Sequence, residues 1–211
     1  MSNILHDLYD SLYHHFGPQH WWPADSPFEV AIGAILTQNT NWTNAENAIH
    51  KLKQADILDP VALHRTHPKK LASLIRPAGY FNIKAKRIKH FMRFFMQTYG
   101  GEISRMKKEP LPAIREKLLS VHGIGPETAD SIILYALEKP VFVIDAYTKR
   151  VLARHTILDH NEPYETYQEL FHSSLKKNVP VFNEYHALFV RLAKEYCRTT
   201  PDCGQCPING M

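Results

Sequence analysis

The sequence predicts an all-α protein. Apolar residues recur at helical spacing along nearly the whole chain, prolines and capping residues cut that pattern into segments, and only Val141–Ile144 is extended in character. That run is short and has no partner run elsewhere, so it reads as a buried connector and not as a strand. Residues 4–16 set Ile4, Leu8, Leu12 and Phe16 on one face. Residues 27–36 form a strongly apolar helix, with Pro27 suited to its first turn. Residues 43–53 are amphipathic, with Thr43 or Asn44 as the expected cap, and Pro60 and Pro68 open two short helices. In 84–98 the residues Ile88, Phe91, Phe94 and Phe95 make a core stripe, a simpler reading than a cofactor box. The segment 112–120 starts near Pro112 and turns Ile114, Leu118 and Leu119 inward. Pro126 fits the first turn of the next helix, whose buried face is Ala129, Ile132, Ile133, Ala136 and Leu137. Helices over 146–155, 164–176 and 183–197 complete the pattern, without a repeat or a long linker.

A chain of 211 residues has material for one large or two modest domains. Its 44% apolar and 22% charged composition is that of an ordinary globular protein. The net charge of +4 and pI near 8.9 permit a polyanionic partner without demanding one, since a solvated surface explains such an excess equally well. There is no apolar run of membrane-spanning length, and the first residues lack a basic segment leading into an apolar one. The expected compartment is therefore the cytoplasm.

The most informative stretch is Val121-His122-Gly123-Ile124-Gly125-Pro126-Glu127-Thr128-Ala129, followed eighteen residues after Glu127 by Asp145. A Gly-x-Gly corner between two helical patterns turns the chain sharply and leaves N–H groups bare at the head of the second helix. Those groups, with the positive end of the helix dipole, suit a phosphate. Gly123, Ile124 and Gly125 are the expected phosphate contacts, with Lys149, just behind Asp145, as a further one beside Arg150. Lys84, Lys86, Arg87 and Lys89 are basic as well, and for most of them a solvated face suffices. Asp145 lies at a helix N-terminus, where nearby N–H groups hold a carboxylate. It reads as a helix cap, and a phosphate anchor plus one such carboxylate is the minimal equipment for chemistry on a nucleic acid.

The segment from Leu118 to Ala129 together with Asp145 resembles the helix–hairpin–helix and aspartate signature of the endonuclease III superfamily of DNA glycosylases. Phe28–Thr40 is similar to that family's early helix and its Gln-containing loop, and Gly79-Tyr80-Phe81-Asn82-Ile83-Lys84-Ala85 resembles its Gly-Leu-Tyr-Asn-x-Lys-Ala segment. The resemblance covers nearly the whole chain in order. It implies a two-lobed helical fold with DNA in a cleft between lobes. One lobe would be a six-helix bundle over residues 22–138 with the hairpin at about 112–138, and the other would join residues 1–21 to 139–211. It further implies that double-stranded DNA with damaged bases is the partner, that the protein works as a monomer, and that a target nucleotide is flipped out and its N-glycosidic bond cut.

A carboxylate beside C1′ stabilises the positive charge that builds on the sugar and orients the attacking water, the role the resemblance implies for Asp145. Family members that also nick the backbone carry a lysine where this chain has Glu127. A carboxylate cannot form their Schiff base, so hydrolysis that leaves an abasic site is expected. Glu127 reads either as an acid complementing the helix dipole or as an acceptor for the base.

Trp21, Trp22 and Trp42 are the candidate base pocket, since electron-rich rings suit a cationic ligand such as N3-methyladenine; packing is the alternative for each. Gln38 is similar to the family residue that fills the gap left by the flipped nucleotide. These features resemble most the 3-methyladenine DNA glycosylase III branch. Two alternatives stay open: an endonuclease III-like glycosylase for oxidised pyrimidines or mismatches with weak lyase activity, and a non-catalytic DNA-binding helix–hairpin–helix protein.

The tail carries Cys197, Cys203 and Cys206, spaced C-x5-C-x2-C and similar to the family's iron–sulfur loop. A [4Fe–4S] centre needs a fourth thiolate, which would fall at position 212, just after Met211. Cluster binding, another fourth ligand, zinc, or a tail without metal all remain open. Of the thirteen histidines, His186 matches a family position on a buried helix; the rest are simplest as surface residues.

Overall fold

A computed structural model of the protein describes residues 2–211, and side chains from Ile4 onward. No strand occurs among the described residues. The helices are α1 (Ser2–Phe16), α2 (Pro27–Leu36), α3 (Trp42–Gln54), α4 (Pro60–Arg65), α5 (Pro68–Leu74), α6 (Phe81–Tyr99), α7 (Ile103–Lys108), α8 (Leu111–Leu119), α9 (Pro126–Ser131), α10 (Ala146–Arg154), α11 (Tyr164–Ser174) and α12 (Val179–Glu195). They form two compact units, residues 24–139 and residues 1–23 with 140–211.

In the first unit α2 is the central helix, buried from Phe28 to Leu36. Ser26 caps it through the Glu29 N–H, and Pro27 occupies its first turn. Phe28, Phe91 and Phe95 stack between α2 and α6, with adjacent ring centroids 5.6–5.8 Å apart. Lys84 is 1% exposed, and its amine donates to the carbonyls of Leu36 at 2.8 Å and Ala78 at 2.7 Å. It thereby fastens the C-terminal end of α2 to the start of α6.

α8 and α9 enclose the Gly-Ile-Gly corner. The Arg115 guanidinium on α8 grips the fully buried Asp130 carboxylate on α9 through two bonds of 2.8 and 3.1 Å. α9 widens into a π-helical stretch, Ile132–Ala136, closed by Leu137 N–H on the Ile132 carbonyl. The whole stretch is buried, which is why the sequence is apolar there on every side.

In the second unit Phe142 stacks on Phe171 at 3.7 Å, and Tyr185 and Phe189 pack edge-on against Phe171. The Tyr185 hydroxyl donates to the Leu5 carbonyl and so anchors α1. Val141–Ile144 is extended, at most 2% exposed, and in no ladder, as the lone apolar run suggested.

Boundaries moved where capping chemistry overrode the apolar period. α3 starts at Trp42 because the Asn41 side chain accepts the Asn44 N–H. α12 starts at Val179, capped by Asn178, with Pro180 in its first turn. The short helix α7 had no periodic signal of its own.

Candidate functional site

Gly123 has φ +90°, and a Cβ there would collide with Arg87 Cγ and lie 2.9 Å from Cδ. Glycine is thus required twice, by the backbone and by the neighbouring side chain. Gly125 is extended at φ −97°, leads into Pro126, and its N–H has no bonded partner among the described residues. The corner differs from expectation at Ile124. Its N–H closes the turn on the Val121 carbonyl at 3.0 Å, and its side chain is 5% exposed. Bonding inside the turn therefore removes the Ile124 donor from the phosphate set and leaves the two glycines.

Gln38, just beyond α2, reaches the same corner. Its amide nitrogen donates to the Gly123 carbonyl at 3.0 Å and to Thr128 Oγ1 at 2.9 Å, while Arg87 donates to its amide oxygen. The sequence reading left Arg87 among the solvated basic residues. The signal that could have singled it out is a long side chain opposite an obligatory glycine.

Glu127 is exposed in the first turn of α9. Trp42 is half-buried at the head of α3. Tyr80, not singled out from sequence, is 62% exposed on a left-handed backbone at φ +44°. Lys84 ties Ala78, two residues before Tyr80, to Leu36, two residues before Gln38.

In the other unit, Asp145 is the N-cap of α10. Its Oδ1 accepts the Thr148 N–H at 2.7 Å, and its Oδ2 lies 3.5 Å from Nε2 of His186 on α12. The two side chains are 12% and 8% exposed respectively, so a narrow edge of the carboxylate is open. Burial by itself would raise the Asp145 carboxyl, but the His186 ring and the Thr148 bonds outweigh it and hold the group below the usual carboxylate value. Asp145 is therefore ionised at neutral pH, with Oδ1 hydrogen-bonded and Oδ2 facing the His186 ring across an ion-pair contact. Cap and reactive carboxylate are compatible here, because the cap bond takes one oxygen.

Trp21 and Trp22 pair with ring centroids 4.9 Å apart, and both are half-buried. Lys149 departs from the phosphate role expected for it. Its amine donates to the Glu162 carbonyl at 2.8 Å and lies 4.8 Å from the Tyr167 ring centre. Arg150 is likewise held by the carbonyls of Cys197 and Ala193. The loop after α10 provides the first acceptor and the C-terminal end of α12 the other two, and together they draw both cations inward.

The tail does not fit a metal centre. No group of three His, Cys, Asp or Glu side chains among the described residues is placed to hold a metal ion. Cys197 is buried and accepts from Arg154 Nη1 at 3.3 Å, while Cys203 is exposed. A guanidinium against the first thiol is a poor neighbour for a cation and organises the loop instead, through the Arg198 and Thr199 carbonyls. No chemical step is assigned to a cluster.

A helix–hairpin–helix with a free glycine N–H, and an ionised aspartate at the head of another helix, are the features that the sequence resemblance to DNA glycosylases led one to expect. Residues 32–177 match the HhH-GPD superfamily of base excision DNA repair proteins. The chain belongs to that family and is a DNA glycosylase. It is 44% identical over 207 residues to a candidate DNA repair glycosylase of Methanocaldococcus jannaschii, covering 97% of this chain and 94% of that one. Among solved structures it is similar to the H. pylori 3-methyladenine DNA glycosylase bound to 1,N6-ethenoadenine, with TM-score 0.78, 26% identity and coverage of 92% and 97%. A non-covalent endonuclease III–DNA complex shares the fold at TM-score 0.84 and 19% identity, over 98% of this chain and 92% of that one. No helix among the described residues is long and apolar enough to cross a membrane.

Proposed function

We propose that the protein is a monofunctional glycosylase that flips an alkylated purine of the 3-methyladenine type out of duplex DNA and hydrolyses its N-glycosidic bond. The observation that carries this reading is Glu127, an exposed carboxylate on the hairpin where a strand-nicking relative would present its amine. Without that amine no Schiff base forms there, and water is the nucleophile. The C1′–N bond breaks with its electrons leaving on the base, the water oxygen bonds to C1′, and the water's proton passes to Asp145 or to solvent. The ionised Asp145 stabilises the oxocarbenium-like sugar in between.

A cationic methylated adenine leaves as a neutral base and needs no general acid, which suits a site with one ionised carboxylate. The paired rings of Trp21 and Trp22 suit stacking against such a base, and Trp42 and Glu127 are the pocket candidates of the other unit, each taken by itself. The similarity to the H. pylori enzyme supports the same lesion class. Gly123 and Gly125 take a backbone phosphate. Gln38 releases its hairpin partners to fill the gap in the duplex, with the exposed Tyr80 ring available to stack on the opened step. The protein acts as a monomer, in the cytoplasm.

The test is to incubate the protein with DNA methylated by dimethyl sulfate and identify the released bases by chromatography. Release of 3-methyladenine, with abasic sites accumulating uncut, is expected. Release of oxidised pyrimidines from oxidised DNA, with none from methylated DNA, would replace this reading with the endonuclease III-like one.

A further inference from the structure

Asp145 is held on both sides, and only one of its holders belongs to its own helix. The Thr148 N–H on Oδ1 is the bond any N-cap makes. The contact with His186 Nε2 at 3.5 Å comes from α12, forty-one positions further along the chain, and capping does not require it. His186 is 6% exposed, in a helix whose buried face is otherwise dominated by Phe182, Tyr185, Leu188, Phe189 and Leu192. A polar ring there costs desolvation, and one of its contacts is with the carboxylate at the head of α10.

We propose that His186 is a positioning residue for base release, fixing through Oδ2 the plane in which the Asp145 carboxylate meets the anomeric carbon. The proposal rests on the assignment of Asp145 as the catalytic carboxylate. A carboxylate held at one oxygen alone still swings about its Cβ–Cγ bond. With its second oxygen facing the His186 ring at 3.5 Å, that swing is restricted, and a misplacement of about an ångström is costly in such a step. His186 also supplies the electrostatic part that keeps Asp145 ionised against its burial.

Several other charged groups on the elements packed around this pair are engaged elsewhere. On α10, Lys149 is bonded to the Glu162 carbonyl, Arg150 to Ala193 and Cys197, and Arg154 to the tail. On α12, Glu184 accepts the Gln19 N–H, and Arg191 pairs with Glu195. On α1, Asp10 acts on Tyr9 and Tyr185. His172 of α11 is bonded to the Phe142 N–H.

The experiment compares wild type, His186→Leu, His186→Asn and Asp145→Asn in single-turnover release from methylated DNA between pH 4 and 9. Affinity for duplex with an abasic analogue and melting temperature are measured alongside. With His186→Leu the rate at neutral pH should fall about 10- to 100-fold at saturating enzyme, with DNA affinity within about threefold. The acid limb of its profile should move to higher pH, because burial then acts on Asp145 without the opposing contact from the ring. His186→Asn keeps a donor without the charge. It should recover much of the rate while the acid limb stays displaced, and it decides the matter should the leucine variant fail to melt cooperatively. A folded His186 variant with wild-type rate and an unmoved acid limb overturns the proposal. Full activity in Asp145→Asn overturns the catalytic assignment beneath it, a result distinct from failure of the histidine alone.

Discussion

Gln38 donates to the carbonyl of Gly123 at 3.0 Å across a gap of 85 residues in sequence, and so fixes the hairpin from the turn that follows α2. With Thr128 as second acceptor and Arg87 on the amide oxygen, both N–H donors and one acceptor position of the Gln38 amide are used.

Gln38→Ala should therefore do two things. Losing the bonds to Gly123 and Thr128 should destabilise this unit by about 1–3 kcal/mol in urea unfolding, and amide exchange at Ile124, whose N–H closes the hairpin turn, should quicken. Base release should slow more than abasic-site binding does, if the amide also enters the duplex. Unchanged exchange at the hairpin would show that the corner holds itself. Gly123→Ala should be worse, since it meets both a positive φ and the Arg87 stem.

The Arg115–Asp130 pair spans the two helices of the hairpin motif, with Asp130 wholly buried. Removing one partner alone should cost about 3–5 kcal/mol. Asp130→Ala should lie at the lower end, because Arg115 is 21% exposed on its side chain and can turn to water. A double-mutant cycle measures the coupling, and additive single losses would contradict it.

Lys84 titrates at about 8 in the fold against an ordinary 10.5, lowered by burial first and by Arg87 second. Between those values the unfolded chain binds a proton that the folded chain has released, so stability rises with pH across this window. A neutral amine has two hydrogens for its two carbonyl partners, so the ties to Leu36 and Ala78 survive deprotonation. Lys84→Met lacks the titration. Its deficit relative to wild type should widen by about 3 kcal/mol at most between pH 8 and 10.5. A constant deficit would place the lysine's titration at its ordinary value.

Much of this was legible in the sequence because it depends on local rules. The Gly-x-Gly corner, Pro126 in a first turn and Asp145 as a cap follow from backbone chemistry, and the apolar faces of α2, α6 and α12 follow from their period. What was not legible depends on side chains that meet from distant positions. Nothing near Arg87 in sequence says that its stem passes Gly123, and nothing near Lys149 says that the Glu162 carbonyl awaits it. The phosphate role expected of Ile124 failed for a local reason of a different kind, since a tight turn consumes one of its own donors. The cysteine spacing suggested a metal loop, but spacing does not reveal that Arg154 occupies the first thiol.

Glu127 predicts the absence of a covalent intermediate. Borohydride added during turnover on methylated DNA should trap no adduct above the background of a hairpin-deleted control, and strands should stay intact until alkali is added. Glu127→Lys, an exposed change, should fold normally and supply the amine that allows trapping. Efficient trapping by wild type would mean that another lysine attacks C1′.

The central claim is that the Asp145 carboxylate, and not the hairpin grip alone, breaks the sugar–base bond. Asp145→Asn keeps an oxygen for the Thr148 N–H and so preserves the cap, while removing the charge. Single-turnover release from methylated DNA should fall at least about 100-fold, while affinity for an abasic-analogue duplex changes by less than about threefold. Release at the wild-type rate by a correctly folded, DNA-binding Asp145→Asn protein would contradict the account.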